Sequence, residues 1–191
     1  MGSVANRKKV SREEFLAYFD SIDHKAEWLD GEIWDMAGGT PAHSLIGGNI
    51  TRELGNHLKG SDCFAYNSDL VVQIEADASI VLPDASVVCG ELLTAWDRKD
   101  FVKNPTLVVE VRSKDRENYD LEGKFLKYIT IPTLREYVVI DQYEVKIDVF
   151  YRTDTGLWDI RTYNNPSFSI TFQSIKVTIP IEEIYRGVKF G

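Results

Sequence analysis

The sequence predicts a mixed fold, α/β in the α+β sense: a central mixed β-sheet flanked by helices, with an N-terminal helix and hairpin in front of it. Three observations carry this expectation. Ile46, Ile50, Leu54 and Leu58 recur every four residues, a one-sided apolar stripe that needs a helix. From Cys63 to Cys89 the apolar residues recur with period two, as in strands. Thr106–Val111 is an almost unbroken apolar run of the kind found in strands buried on both faces. The 191 residues are 43% apolar and 12% aromatic, enough for one core, so a single domain over 1–191 is expected, with 1–10 as a flexible tail.

The elements follow in order. Ser11-Arg12-Glu13-Glu14 has the capping-box pattern and is followed by Phe15, Leu16 and Phe19, which predicts a first helix ending near Asp20. Asp30-Gly31 is a favoured two-residue turn and joins Ala26–Leu29 to Glu32–Met36 as a hairpin. The striped helix runs from Pro41 to Lys59, and Gly60 stops it. Strands are expected at Leu70–Ile74, Ser79–Leu82 and Ala85–Val88, paired in one sheet, and Lys99–Asn104 reads as a polar loop. After the Thr106–Val111 strand, a helix is expected from about Tyr119 to Ile129, with Leu121, Phe125 and Tyr128 inward and Pro132 beyond its end. Strands at Arg135–Ile140, Val145–Tyr151 and Trp158–Tyr163 follow, the last two joined through Thr153–Gly156. The tail from Phe168 to Ile184 is strand-like, then weakly helical.

Composition removes several function classes. A net charge of −8 argues against passive nucleic-acid binding through a basic surface. That charge is uneven: Arg98–Lys127 holds eight basic and six acidic residues. No apolar run approaches the ~20 residues of a membrane helix, and no apolar stretch follows the basic N-terminus as in a secretory signal. Cys63 and Cys89 lack metal-ligand spacing, so two buried free thiols in a reducing cytoplasm are expected.

Within this pattern Glu110 is anomalous, because a carboxylate in an apolar strand is costly to bury unless it is paired or binds a metal. Asp84, after Pro83, is the other acid at a strand end. Two such carboxylates suit a hard divalent cation, Mg2+ or Mn2+. Asp84 reads equally as a Pro-Asp turn residue, and Glu110 as the partner of an arginine. Asp120, Lys124 and Tyr128 share one helix face, either as a solvated ion pair or as a cation placed to steady developing charge.

Pro83–Val88, Asn104–Ser113, Asp120–Tyr128 and Glu136–Asp141, together with Glu27-Trp28-Leu29-Asp30-Gly31-Glu32 and His43 with Asn49, resemble the Uma2 family, also called DUF820. That family is similar to a branch of the PD-(D/E)xK restriction-endonuclease-like superfamily. The resemblance implies a restriction-endonuclease-like core and a metal-dependent endonuclease acting on DNA. It implies that Asp84 and Glu110 bind Mg2+ or Mn2+ with the Val111 backbone carbonyl, that Glu27 adds a further acid for the metal, binding a second ion or a metal-bound water, and that Lys124 replaces the motif lysine, whose position Arg112 occupies. Arg112 and His43 are then phosphate contacts, and His43 otherwise orders a helix N-terminus. Ser113 is expected to tie the strand end to the helix by hydrogen bonds. A homodimer is expected, through the apolar strands between Val145 and Phe172. The alternative reading is an inactive nuclease-like fold that binds nucleic acid or protein.

Overall fold

The computed structural model describes residues 9–36, 38–96, 98–112 and 123–190. Helix α1 (Arg12–Phe19) starts in the expected capping box: Ser11 Oγ accepts from the Glu14 N–H at 3.2 Å, and Glu14 Oε2 accepts from the Ser11 N–H at 2.7 Å. Strands β1 (Ala26–Leu29) and β2 (Glu32–Asp35) meet at a turn in which Asp30 and Gly31 both have positive φ, as a twist-compatible two-residue hairpin requires. Helix α2 (Pro41–His57) is capped by Thr40, whose hydroxyl accepts from the His43 N–H, and its stripe of Ile46, Ile50 and Leu54 is fully buried.

Then come β3 (Cys63–Asn67), β4 (Val71–Gln73), β5 (Ile80–Val81), β6 (Ala85–Cys89), β7 (Thr94–Ala95), β8 (Arg98–Val102) and β9 (Leu107–Arg112). Helix α3 (Lys124–Tyr128) precedes β10 (Glu136–Asp141), β11 (Ile147–Arg152) and β12 (Trp158–Tyr163). A hairpin of β13 (Ser169–Phe172) and β14 (Val177–Pro180) and the short α4 (Ile181–Ile184) complete the chain. The expected helix start near Tyr119, the inward Leu121, the Asp120–Lys124 pair and the role of Ser113 lie outside the described residues.

The mixed α/β class holds, with one change. The strands between Cys63 and Cys89 do not form one sheet: among the described residues there are two six-stranded sheets, ordered β2-β1-β5-β4-β8-β7 and β12-β11-β10-β9-β6-β3. They stack face to face. Leu29, Val72, Val81 and Val102 from the first meet Val108, Tyr137, Val139 and Phe150 from the second. Helix α1 covers the outer face of the first sheet through Phe15, against Trp28 and Phe101, while α2, α4 and the β13–β14 hairpin cover the outer face of the second.

Two other expectations fail. Lys99–Asn104 is not a loop but largely strand β8, because Phe101 and Val102 are buried and pair in parallel with β4, leaving Lys99 and Asp100 exposed. Cys63 and Cys89 are not free thiols but a disulfide. They stand directly opposite each other in the antiparallel β3–β6 ladder, a proximity that comes from strand register and leaves no spacing motif. Among the described residues, no helix is long and apolar enough to cross a membrane.

Candidate active site

The pleat of the two sheets decides which acids meet. In β1, Ala26 and Trp28 face α1, so Glu27 points with Leu29 into the space between the sheets. In β9, Val109 and Val111 face α2, so Glu110 points with Val108 into that same space. Helix α3 brings Lys124 between them: its Nζ donates to Glu27 Oε1 at 2.8 Å and to Glu110 Oε1 at 3.1 Å. One turn later, the Tyr128 hydroxyl donates to Glu110 Oε1 at 2.9 Å, and the Leu82 N–H donates to Glu27 Oε1 at 3.0 Å. The three charged side chains are 0–6% exposed, so each depends on its partners for the solvation that water would supply. Burial, and then the Glu110 and Glu27 carboxylates, push the Tyr128 phenol well above its ordinary range, leaving it a proton donor at neutral pH.

Asp84 sits where β6 begins. The β6–β9 ladder pairs Ala85 with Val109, so one step on Asp84 lies across from Glu110. The ladder ends there, and the Val111 N–H goes to Asp84 Oδ2 at 2.7 Å. His43 Nε2, in the first turn of α2, lies 3.4 Å from the same oxygen. Gly39 makes room for that ring, since a Cβ there would fall 2.9 Å from His43 Nδ1.

Asp84 and His43 open onto a cleft of about 690 Å³. One wall is the face of α2 bearing Ser44, Gly47, Gly48, Thr51 and Arg52; Lys25, Asn67 and Ser68 stand on the other side. A Cβ at Gly47 or Gly48 would meet nothing within 4 Å, so the cleft wall is bare backbone at these two residues. Adjacent glycines inside a helix cost about 1 kcal/mol each relative to alanine, a signal in the sequence that went unread. Lys25 donates to the Ser68 carbonyl and hydroxyl and pairs with Asp69, and Arg52 pairs with Glu53.

Arg112 lies two residues beyond Glu110 on β9. Its guanidinium pairs with Asp141 on the adjacent β10 at 3.4 Å, and its carbonyl accepts from Gln142 Nε2 at 2.6 Å. Gln142 also accepts from Thr40, the α2 cap, so the end of β9 is tied to the start of α2. Asn49, the partner of His43 in the sequence pattern, is a strut: its amide donates to the Ile184 and Arg186 carbonyls. Of the expected site residues, Glu27, Glu110 and Lys124 converge, Asp84 and His43 meet at the cleft, and Arg112 pairs with Asp141. Tyr128, expected only as an inward helix residue, joins the first group. Gln142 went unread and Asp141 was read only as the end of a strand motif; contact between strands reveals what they hold.

The family model described as "Putative restriction endonuclease" matches residues 12–180. The chain belongs to the Uma2 family. Two Synechocystis sp. proteins are similar over nearly their full lengths: uncharacterized protein slr1290, 38% identical and covering 95% of this chain and 94% of its own, and uncharacterized protein sll1609, 28% identical and covering 91% and 98%. A crystal structure from Anabaena variabilis, described as "a putative nuclease belonging to DUF820", superposes with a TM-score of 0.71 at 16% identity, covering 89% of this chain and 96% of that one. At that identity the likeness is one of fold, and it places this Uma2 member on a nuclease-like fold.

Restriction-endonuclease-like proteins generally use divalent metals. Among the described residues, no group of three or more His, Cys, Asp or Glu is placed to hold an ion. The site offers hard oxygen donors, the Asp84 and Glu110 carboxylates, from neighbouring strands. That set fits Mg2+, which keeps several waters and binds through one or two carboxylates together with substrate phosphate.

Proposed function

We propose that this Uma2 protein is a metal-dependent endonuclease that hydrolyses phosphodiester bonds in DNA. The observation that carries the reading is the buried Lys124 ammonium held by Glu27 and Glu110, on the strand next to an Asp84 carboxylate that opens to a cleft. Asp84 and Glu110 are the residues that would hold Mg2+ or Mn2+, with the Val111 carbonyl as the expected backbone ligand. When bound, the cation would neutralise phosphoryl charge and activate water.

The chain's own groups do the rest. The Val111 N–H fixes the Asp84 carboxylate, and Tyr128 and Lys124 fix that of Glu110, so both are oriented before substrate arrives. Glu27, anchored by the Leu82 N–H, holds Lys124 at the inter-sheet edge of the site, where its ammonium would steady charge developing on the phosphoryl group. His43 would contact a phosphate entering over the bare Gly47–Gly48 face, where a sugar–phosphate backbone can approach closely. Arg112, engaged by Asp141, is a secondary phosphate contact. Purified protein should nick supercoiled plasmid with Mg2+ or Mn2+ and stop on chelation. No cleavage of single- or double-stranded DNA with either cation would defeat the reading.

One observation favours an inactive, nucleic-acid- or protein-binding fold instead: Lys124 and Arg112 are both already engaged by carboxylates. DNA or protein binding that is indifferent to chelation and to Asp84→Asn would support it.

A further inference from the structure

We propose that β12 is the pairing edge of a homodimer, in which two copies join antiparallel about a two-fold axis at Ile160. β12 is the last strand of its sheet, and among the described residues no strand pairs with its outer edge. The direction of its backbone groups follows from its neighbours. The Arg152 N–H goes to the Arg135 carbonyl, on the β10 side, whereas the Thr153 N–H goes to the Leu157 carbonyl, on the β12 side. Because ladder bonds alternate along an antiparallel strand, Asp159 and Arg161 turn their N–H and C=O groups to β11, and Trp158, Ile160 and Thr162 turn theirs outward. An unprotected edge of this kind is a template for another strand.

The side chains select a second copy of the chain and one register. With Ile160 opposite the partner's Ile160, Asp159 faces the partner's Arg161, Arg161 faces the partner's Asp159, and every outward backbone group meets an outward one. Sliding two residues one way sets Asp159 against the partner's Asp159; sliding the other way sets Arg161 against the partner's Arg161. Both shifts place like charges directly opposite, which is unfavourable. Of these three registers only the one centred on Ile160 avoids this and pairs the opposite charges, and it is self-complementary as an isologous interface must be. It also covers apolar surface, since Ile160, 61% exposed, meets its own copy at the axis. Pairing would join two six-stranded sheets into one continuous sheet.

Sedimentation velocity across a range of concentrations, combined with amide hydrogen exchange, tests this independently of catalysis. The wild-type chain should be a dimer, with the Trp158, Ile160 and Thr162 amides protected. Asp159→Arg should be monomeric, those three amides should then exchange fast, and Arg161 and Tyr163, bonded to β11, should stay protected as a control for folding. Ile160→Glu should also be monomeric. The charge swap Asp159→Arg with Arg161→Asp should restore the dimer. A wild-type monomer at all concentrations, an Asp159→Arg dimer, or a folded charge swap that stays monomeric would each overturn the proposal.

Discussion

Lys124 Nζ lies 2.8 Å from Glu27 Oε1 although 97 residues separate the two, and with Glu110 at 3.1 Å this contact fastens one β-sheet to the other. The same ammonium therefore has a stability role and a proposed chemical one, and the two can be separated. Lys124→Met leaves Glu27 and Glu110 buried without their cation. It should destabilise the fold by about 3–5 kcal/mol in urea denaturation at neutral pH. Adding Glu27→Gln should recover part of that loss, since the Gln oxygen still accepts from the Leu82 N–H; losses that simply add would count against a coupled cluster.

Tyr128→Phe removes a buried hydrogen bond to a carboxylate and should cost about 1.5–3 kcal/mol. Because burial and the adjacent carboxylates raise the Tyr128 phenol far above its usual range, it should ionise only at strongly alkaline pH. In a spectrophotometric titration, the late phase should shrink in Tyr128→Phe while the ordinary tyrosine phase is unchanged.

Asp84→Asn should behave differently. The amide oxygen can still accept from the Val111 N–H, so stability should change by less than about 1 kcal/mol. Mn2+ binding, followed by calorimetry, should weaken at least tenfold. Unchanged cation affinity in this variant would remove Asp84 from the site.

Lys127, next to the α3 face that carries Tyr128, pairs with Asp77 and Asp30 and moors the helix to the first sheet. Burial pushes the Asp77 carboxyl up, but the Lys127 ammonium and the Ser79 N–H outweigh it and hold the group below its ordinary value of 3.8. A depressed acid stabilises above its unfolded pKa and loses that contribution as pH falls through the folded one. Wild type should therefore lose stability more steeply than Asp77→Asn below about pH 4, measured as melting temperature against pH.

Local signals made most elements legible: the Ser11 capping box, the Asp30-Gly31 turn, the stripe of α2, and the apolar run of β9 interrupted by Glu110. Which sheet a strand joins was not legible, because β4, β5 and β6 have similar apolar patterns and separate only through pairings with β1, β8 and β9. Strand β8 was hidden because Arg98, Lys99 and Asp100 precede the two residues that are buried. The disulfide was hidden because register alone sets Cys63 opposite Cys89. In the site, the anomaly of Glu110 and the strand-end position of Asp84 could be read from sequence. The engagement of Arg112 by Asp141, the Tyr128 bond and the cleft along Gly47 and Gly48 depend on contacts between distant segments.

The most direct measurement compares wild type with Glu110→Gln in Mg2+-dependent nicking of supercoiled plasmid, with folding of both verified by circular dichroism. The account predicts that wild type nicks only with the cation present and that folded Glu110→Gln loses at least about two orders of magnitude in rate, the scale expected when a group stabilising the transition state is removed. A folded Glu110→Gln variant that nicks as fast as wild type, or wild-type nicking that persists in excess chelator, would contradict it.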